Sequence, residues 1–455
     1  MNMQQLIQSQ RDFFNTNATK SIAFRKQQLQ KFYDVIKANE KLLYEAIYKD
    51  FKKSEFDTFT TELALVYSDI KEAKKKVGKW SKIKRKRTNL TNLPGKSYVI
   101  PEPLGVSLII GAWNYPYQLS FAPVVSAIVA GCTVILKPSE VSSNTSAAMA
   151  KIINENFDPH FFKVVEGGIP ETTALLNEKF DKIFFTGSTT VGRIVYQAAA
   201  KHLTPVTLEL GGKSPAFITK TANLKMTAKR LIWAKFLNAG QTCIAPDYLL
   251  VDESIKDELL ELLVSEIKNS HFSTDNGNYV QIVNTRNAER LISMIDTDKI
   301  YFGGNHILEK RHIEPTILSE VSFDDKIMEE EIFGPILPVI SYDNLQETIN
   351  KVKSMPKPLS CYVFTKENTA KNKIFNEISF GGGCVNDAVM HISNSHFGFG
   401  GVGESGMGSY HGEDGFKAFS HYKSILDKSN LFEANLKYYP HSEKKLSIIK
   451  RTMGL

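Results

Sequence analysis

From Val106 onward the chain is punctuated by short apolar runs rich in branched residues: VSLII, TVILK, FKVV, KIFF and PVTLEL. The stretches between them are long enough for helices. Strands buried on both faces read as continuous apolar runs, whereas half-exposed strands alternate. The pattern therefore predicts a largely parallel α/β sheet. A second series, SPAFI, DYLLV, ILPVI and CYVF, with helices expected from Leu224 to Leu237 and from Ser254 to Lys268, predicts a second α/β lobe. No Gly, Ser or Pro linker marks the junction, which is placed near Glu209.

With 455 residues the chain exceeds one simple core, and domain-size priors give two or three lobes. Hydrophobic residues at 42% and charged residues at 23% argue against wholesale disorder and against a fibrous repeat. The segment up to about residue 80 carries apolar positions at helical spacing, among them Leu29, Phe32, Ile36, Leu43 and Ile47. The first residues lack a basic leader with an apolar run, and no stretch reaches the ~18 apolar residues of a membrane span, so a cytoplasmic location is expected. Cys132, Cys243, Cys361 and Cys384 are scattered without disulfide or zinc spacing.

The net charge of +7 comes partly from the block Lys71 to Arg87. It reads as a solvated helix face running into an exposed loop; without aromatic interleaving, no nucleic acid partner is expected. The tail after Glu433 is basic and amphipathic, with Lys444, Lys445, Leu446, Ile448, Ile449, Lys450 and Arg451. It reads as solvated, with weak peripheral membrane contact as the alternative.

Three segments carry chemistry. Cys243 stands in FLNAGQTCIAPDYLLV, on a loop between a helix and a strand. A thiolate is a strong nucleophile, and backbone N–H groups or positive charge lower its ordinary pKa of about 8.5. An isolated loop cysteine is more often inert, so its meaning depends on its company. Glu209 ends a strand in PVTLELGGKSP, where a lone carboxylate is more often an ion-pair partner. The GGKS there is not a phosphate-binding P-loop, which would need Gly where Thr207 stands. In KIFFTGSTTVGRIV, a strand leads through Gly187 and Ser188 into a helix beginning near Thr189. A helix N-terminus of this kind can hold a pyrophosphate or be a plain helix start. Lys137 and Glu140, after another strand, could hold ribose hydroxyls or be surface residues.

The runs GAWNYPYQLSFAPVVSAIVAGCTVILKPSE, FFTGSTTVG, LELGGKSP, FLNAGQTCIAPDY, EEIFGPILP and FGGVGESGMGSYHG occur in this order between Pro101 and Lys423. Together they resemble the aldehyde dehydrogenase superfamily, most closely its shorter, class 3-like branch acting on fatty and aromatic aldehydes. The resemblance implies two Rossmann-type α/β lobes, one binding the cofactor and one catalytic, with a small bridging arm. It places the cofactor-binding domain at 1–87 and 102–208, the catalytic domain at 209–420, the arm at 88–101 and 421–434, and a basic tail at 435–455. It further implies Cys243 as nucleophile, Glu209 as the base that activates water, and Asn114 as an oxyanion donor. Lys137, Glu140, Gly187, Ser188, Gly192, Glu331 and Phe333 would bind NAD, and in some cases NADP. Tyr115, Trp233, Phe236 and Phe399 are candidates for an apolar substrate pocket, though equally for core. A homodimer is implied, and the tail is too short to carry the C-terminal membrane helix of some fatty-aldehyde members.

Two other readings keep the fold. A coenzyme A-acylating relative would typically lack the base at Glu209, and a non-catalytic cofactor binder would be expected to lose Cys243 or Glu209. His391, His396 and His411 show no ligand spacing, so no metal is expected; His411 reads as a satisfied loop histidine or as part of the pocket mouth.

Overall fold

A computed structural model describes residues 2–454. The helical N-terminal segment comprises α1 (Met3–Asn15), α2 (Ile22–Ala38), α3 (Glu40–Phe51), α4 (Glu55–Thr58) and α5 (Ala64–Trp80), with a π-helical turn, Phe59–Leu63, leading into α5. Next come β1 (Lys84–Lys86) and β2 (Gly95–Pro103). The first α/β lobe runs β3 (Val106–Ile110), α6 (Pro116–Ala130), β4 (Thr133–Lys137), α7 (Ser143–Asn154), β5 (Phe162–Val164), α8 (Ile169–Leu176), β6 (Lys182–Thr186), α9 (Thr189–Ala200) and β7 (Val206–Glu209).

The second runs β8 (Pro215–Ile218), α10 (Leu224–Phe236), β9 (Tyr248–Asp252), α11 (Lys256–Ser270), α12 (Thr285–Ile292), β10 (Ile300–Phe302), a small hairpin of β11 (His306–Ile307) and β12 (His312–Ile313), β13 (Thr316–Leu318), β14 (Ile336–Tyr342), α13 (Leu345–Ser354), β15 (Ser360–Phe364), α14 (Asn368–Glu377) and β16 (Gly382–Val385). The chain closes with β17 (Gly406–Met407), α15 (Gly412–Ala418), β18 (Ser420–Lys428) and α16 (Glu443–Met453).

Two sheets carry the lobes, in the orders β17-β7-β6-β3-β4-β5 and β10-β13-β14-β9-β8-β15-β16. All pairings are parallel except those of β17 and β10. The apolar runs of the sequence are the buried strands, as covering both faces of a parallel sheet requires. α6 is buried around its whole circumference, between the N-terminal helices and the first sheet, and its sequence is accordingly apolar but for Gln118, Ser120 and Ser126 and carries no charge. Pro116 starts it, and Gly131, at φ 100°, ends it in the left-handed conformation.

Some elements differ from expectation. The basic block does not end in a loop: Lys84, Arg85 and Lys86 form the exposed strand β1, at the edge of a sheet ordered β1-β2-β18. Three cations on an edge discourage a further strand from adding there. β2 and β18 pair antiparallel from Gly95↔Lys428 to Pro103↔Ser420, so this pairing takes in Glu102, Pro103 and Ser420, just outside the expected 88–101 and 421–434. β17, from the region assigned to the second lobe, pairs with β7 of the first, Gly406 opposite Glu209.

The register aligns Ile110 with Lys137 and Thr186 with Glu209, so the loops after β3, β4, β6 and β7 open on one carboxyl edge. The crevice outside that edge is where open α/β sheets bind ligands. The chain crosses it directly from β7 to β8, and the Asp247 N–H just before β9 donates to Ser214 O at 2.8 Å. The carboxyl edge of one sheet thereby meets the amino edge of the other.

Candidate active site

Cys243 lies in that meeting place. α10 ends at Phe236, and Asn238, Ala239 and Gly240 follow with φ of 54°, 51° and 72°. Two non-glycine residues in the left-handed region persist only when their surroundings hold them. Here the Asn238 amide donates to Asn114 O at 3.0 Å and to Gln241 O at 3.1 Å. Gln241 Nε2 donates to Asn238 O and Gln281 O, and Gln241 Oε1 accepts the Val283 N–H at 2.9 Å. The Ala245 N–H then reaches back to Thr242 O at 2.9 Å, closing a turn with Cys243 inside it.

Asn114 stands between β3 and α6, and its Nδ2 donates to Gln241 O at 3.1 Å, so it sits against the loop that carries Cys243. The Tyr115 hydroxyl meets Thr242 Oγ1 at 2.7 Å. The half-buried Cys243 is enclosed by protein atoms that push its thiol up to about 12; the charges of Glu331 and Glu209 act in the same direction, and the N–H groups of Cys243 and Ile244 oppose them. The pocket as built therefore holds the thiol protonated.

Glu209 is 3% exposed, and neither carboxyl oxygen has a hydrogen-bond partner. Burial raises its pKa well above the ordinary carboxylate value. Glu331 is raised to about 8, chiefly by burial and then by Asp247. Tyr410 is a site residue that the sequence reading passed over, although it stands in the quoted GSYHG run. Burial raises the pKa of its hydroxyl well above the ordinary value, Glu209 and Cys243 push it in the same direction, and the hydroxyl, turned toward Gln118, has no well-formed hydrogen bond.

The cofactor candidates are spread along the crevice. Buried Lys137 pairs with half-exposed Glu140 at 2.7 Å. Gly187 donates its N–H to Glu209 O at 3.0 Å, and Ser188 Oγ caps α9 by accepting the Val191 N–H. A Cβ on Gly187 would meet the Phe185 ring at 2.6 Å, so a side chain here would have to displace that ring. Gly192 has a different task. It faces Leu210, where a Cβ would come within 2.6 Å, so its lack of a side chain lets α9 settle close to Leu210.

Phe333 meets Trp113 edge to face at 5.4 Å. Trp113, Val141 and Arg290 line a cleft of about 420 Å³. The segment around Glu331 is tied down by Lys213, which pairs with Asp247 at 2.5 Å and donates to Glu330 O, while Asp247 accepts the Ile332 N–H. A nicotinamide dinucleotide fits these residues: a capped helix start and a side-chain-free turn for the pyrophosphate, and two carboxyl groups beside the thiol for a cationic ring. Among the described residues no cluster of His, Cys, Asp and Glu is arranged to hold a metal ion.

The pocket candidates divide. Phe236 is core, packed on Phe272 at 5.6 Å. Trp233 is 44% exposed on α10. Phe399 bridges Tyr410 in backbone pairing, stacks on the His391 ring and meets the Tyr410 ring edge to face, beside a cavity of about 360 Å³. His411 is only half satisfied: Nδ1 meets Asp69 at 3.1 Å, and the buried Nε2 has no partner.

The buried Glu209 carboxyl has a thermodynamic signature. Above the ordinary carboxylate range the native protein keeps a proton that the unfolded chain releases, so stability falls as pH rises. Glu209→Gln removes this dependence. The variant is expected to melt above the parent at pH 8, with the gap closing toward pH 5, as differential scanning calorimetry would measure; an equal gap at both would contradict the raised pKa.

The sequence profile of the aldehyde dehydrogenase family matches residues 1–425. The 4,4'-diaponeurosporen-aldehyde dehydrogenase of Staphylococcus aureus is 46% identical over 436 residues, covering 95% of each chain. Aldehyde dehydrogenase family 3 member A2 of Pongo abelii is 42% identical over 96% of this chain and 91% of its own. The solved substrate-bound state of Staphylococcus aureus AldH superposes with a TM-score of 0.97 at 44% identity, covering 100% of both chains. With this fold and this likeness over nearly its whole length, the chain belongs to the aldehyde dehydrogenase family, on its class 3-like branch, and is an NAD(P)-dependent aldehyde dehydrogenase.

Proposed function

We propose that the enzyme oxidises hydrophobic aldehydes to carboxylic acids through a thioester on Cys243 that water activated by Glu209 hydrolyses. The observation that carries this reading is the Glu209 carboxyl, buried without a partner in the electrostatic neighbourhood of the Cys243 thiol. A buried carboxyl without a hydrogen bond is costly, and a water entering the pocket would satisfy it.

Once its proton has passed to solvent water, Cys243 Sγ attacks the aldehyde carbon, and the carbonyl oxygen becomes an oxyanion. The Cys243 N–H and the second N–H of the Asn114 amide, whose first is spent on Gln241 O, hold that oxygen. Such donors are worth ~2.7–4 kcal/mol in the transition state. The bound oxidised nicotinamide supplies the acceptor for the two electrons and the hydrogen of the aldehyde carbon. The C=O bond re-forms and leaves an acyl group on Cys243. Glu209 then takes a proton from water, the hydroxide adds to the thioester carbon, and the C–S bond breaks to release the acid and free the thiol. A base with a raised pKa gains activity with pH, so this second half should quicken from neutral toward alkaline pH.

In this reading residues 1–87 and 102–208 bind cofactor, 209–420 carry catalysis, and the enzyme is a cytoplasmic homodimer joined through the arm. Exposed Leu90, Leu93, Leu426, Leu431 and Phe432 on and beside the arm sheet support the joint. No helix among the described residues is long and apolar enough to cross a membrane. The tail helix α16, with Leu446, Ile448 and Met453 exposed between cations, supports weak contact with an anionic surface. An apolar rim supports the substrate class: Trp233, Val385, Met390 and Phe397 are exposed, and Arg230, one turn before Trp233, bonds Asn386 O. From there Phe399 leads inward to Tyr410. The similarity to an enzyme named for 4,4'-diaponeurosporen-aldehyde supports a long substrate.

Two measurements test this. Glu209→Gln should give one rapid equivalent of NADH per site and then turn over about 10²–10⁴-fold slower, while Cys243→Ala shows neither phase. Normal steady-state oxidation by Glu209→Gln without coenzyme A would defeat the assignment. Across aldehydes of increasing chain length, kcat/KM should climb with each buried methylene, worth about 0.8 kcal/mol. A flat profile from short to long chains would remove the apolar tunnel.

A further inference from the structure

The first turn of α6 rests on a buried ion pair. Lys53 Nζ lies 2.7 Å from Glu62 Oε1, with side chains 1% and 0% exposed. Glu62 comes from the π-helical turn Phe59–Leu63, a local distortion often found near functional sites. Its other oxygen accepts the N–H groups of Tyr117 at 2.8 Å and Gln118 at 3.3 Å. Glu62 thus caps α6 from a distant segment, because Tyr115, the residue before the helix, makes no side-chain cap.

The pair also reaches the nucleophile loop. The Lys53 ammonium sits over the Tyr115 ring, 4.2 Å from its centroid. Tyr115 hydrogen-bonds Thr242, the residue before Cys243, at 2.7 Å, and Asn114, the residue before Tyr115, hydrogen-bonds Gln241. A buried ion pair is often no more stabilising than an apolar pair of the same volume, so stability alone gives little reason for it here. It does fix a geometry: cation above the ring, carboxylate at the helix start, hydroxyl on the catalytic turn.

We propose that Lys53 and Glu62 are positioning residues for catalysis, acting through Tyr115 and Thr242 to set the Cys243 thiol against the Asn114 amide. The proposal rests on Cys243 being the nucleophile. A misplacement of about an ångström at a reacting atom can cost on the order of 10²-fold, enough for an effect without loss of fold.

The experiment compares the double variant Lys53→Met/Glu62→Gln, which leaves no lone buried charge, with Tyr115→Phe, which keeps the ring and loses the hydroxyl. The NADH burst rate, cofactor KM and melting temperature are measured for each. Burst rates roughly ten- to a hundredfold below the parent, with cofactor KM and melting temperature near parent values, are expected. A parental burst rate in the double variant overturns the proposal. If that variant does not fold, Lys53→Arg decides: it keeps the charge but displaces it over the ring. It should slow the burst at unchanged cofactor KM, and a normal burst overturns the proposal. Cys243→Ala run alongside separates the two ideas, since a burst surviving there would instead refute the nucleophile assignment.

Discussion

One side chain, Asn238, spends both of its amide hydrogens on carbonyls from opposite sides of the crevice, Asn114 O from the first lobe and Gln241 O from the second. It does so from a left-handed conformation that its own backbone disfavours. Gln241 answers with three hydrogen bonds of its own, and the Cys243 turn follows directly. The nucleophile is thus held by a lattice that exists only when both sheets are in place. The two lobes share one set of hydrogen bonds around the loop that carries Cys243.

The electrostatics of the site follow from dryness. Cys243, Glu209, Glu331 and Tyr410 are all acids whose pKa values burial raises; Glu331 and Glu209 push Cys243 further in the same direction, as Glu209 and Cys243 do Tyr410. In such a place like groups keep each other neutral, and any positive or polar newcomer is worth more than it would be in water. Three cations nearby are already engaged: Lys213 on Asp247, Lys53 on Glu62, Arg290 on carbonyls of the Glu331 segment. They shape the walls, while the acids line the interior. Glu209 stays free of any hydrogen bond to Cys243, as the two separate roles proposed for them require.

Much of this was legible beforehand for a physical reason: strands buried on both faces must be apolar at every position, and such runs cannot hide. VSLII, TVILK, KIFF, SPAFI and DYLLV are all strands. β16, with Gly382 and Gly383, and the short β13 carry no such run, and only their neighbours make them strands. Gly187 and Gly192 look alike in GSTTVG, yet one keeps a turn clear and the other lets a helix lie against Leu210. Trp233 and Phe236 differ by three residues along one helix, and one is exposed while the other is core.

By itself the sequence determined the fold class, the family resemblance and the short segments in which the proposed nucleophile, base and oxyanion donor stand, because periodicity and ordered motifs are properties of the chain read in line. Tertiary structure alone decided that Glu62 caps a helix starting more than fifty residues later, and that Lys53 covers the ring of Tyr115. It also decided that Tyr410, near the far end of the chain, feels the charges of Glu209 and Cys243. Those relations join residues distant in sequence through burial and close approach, and neither leaves a trace in spacing or composition.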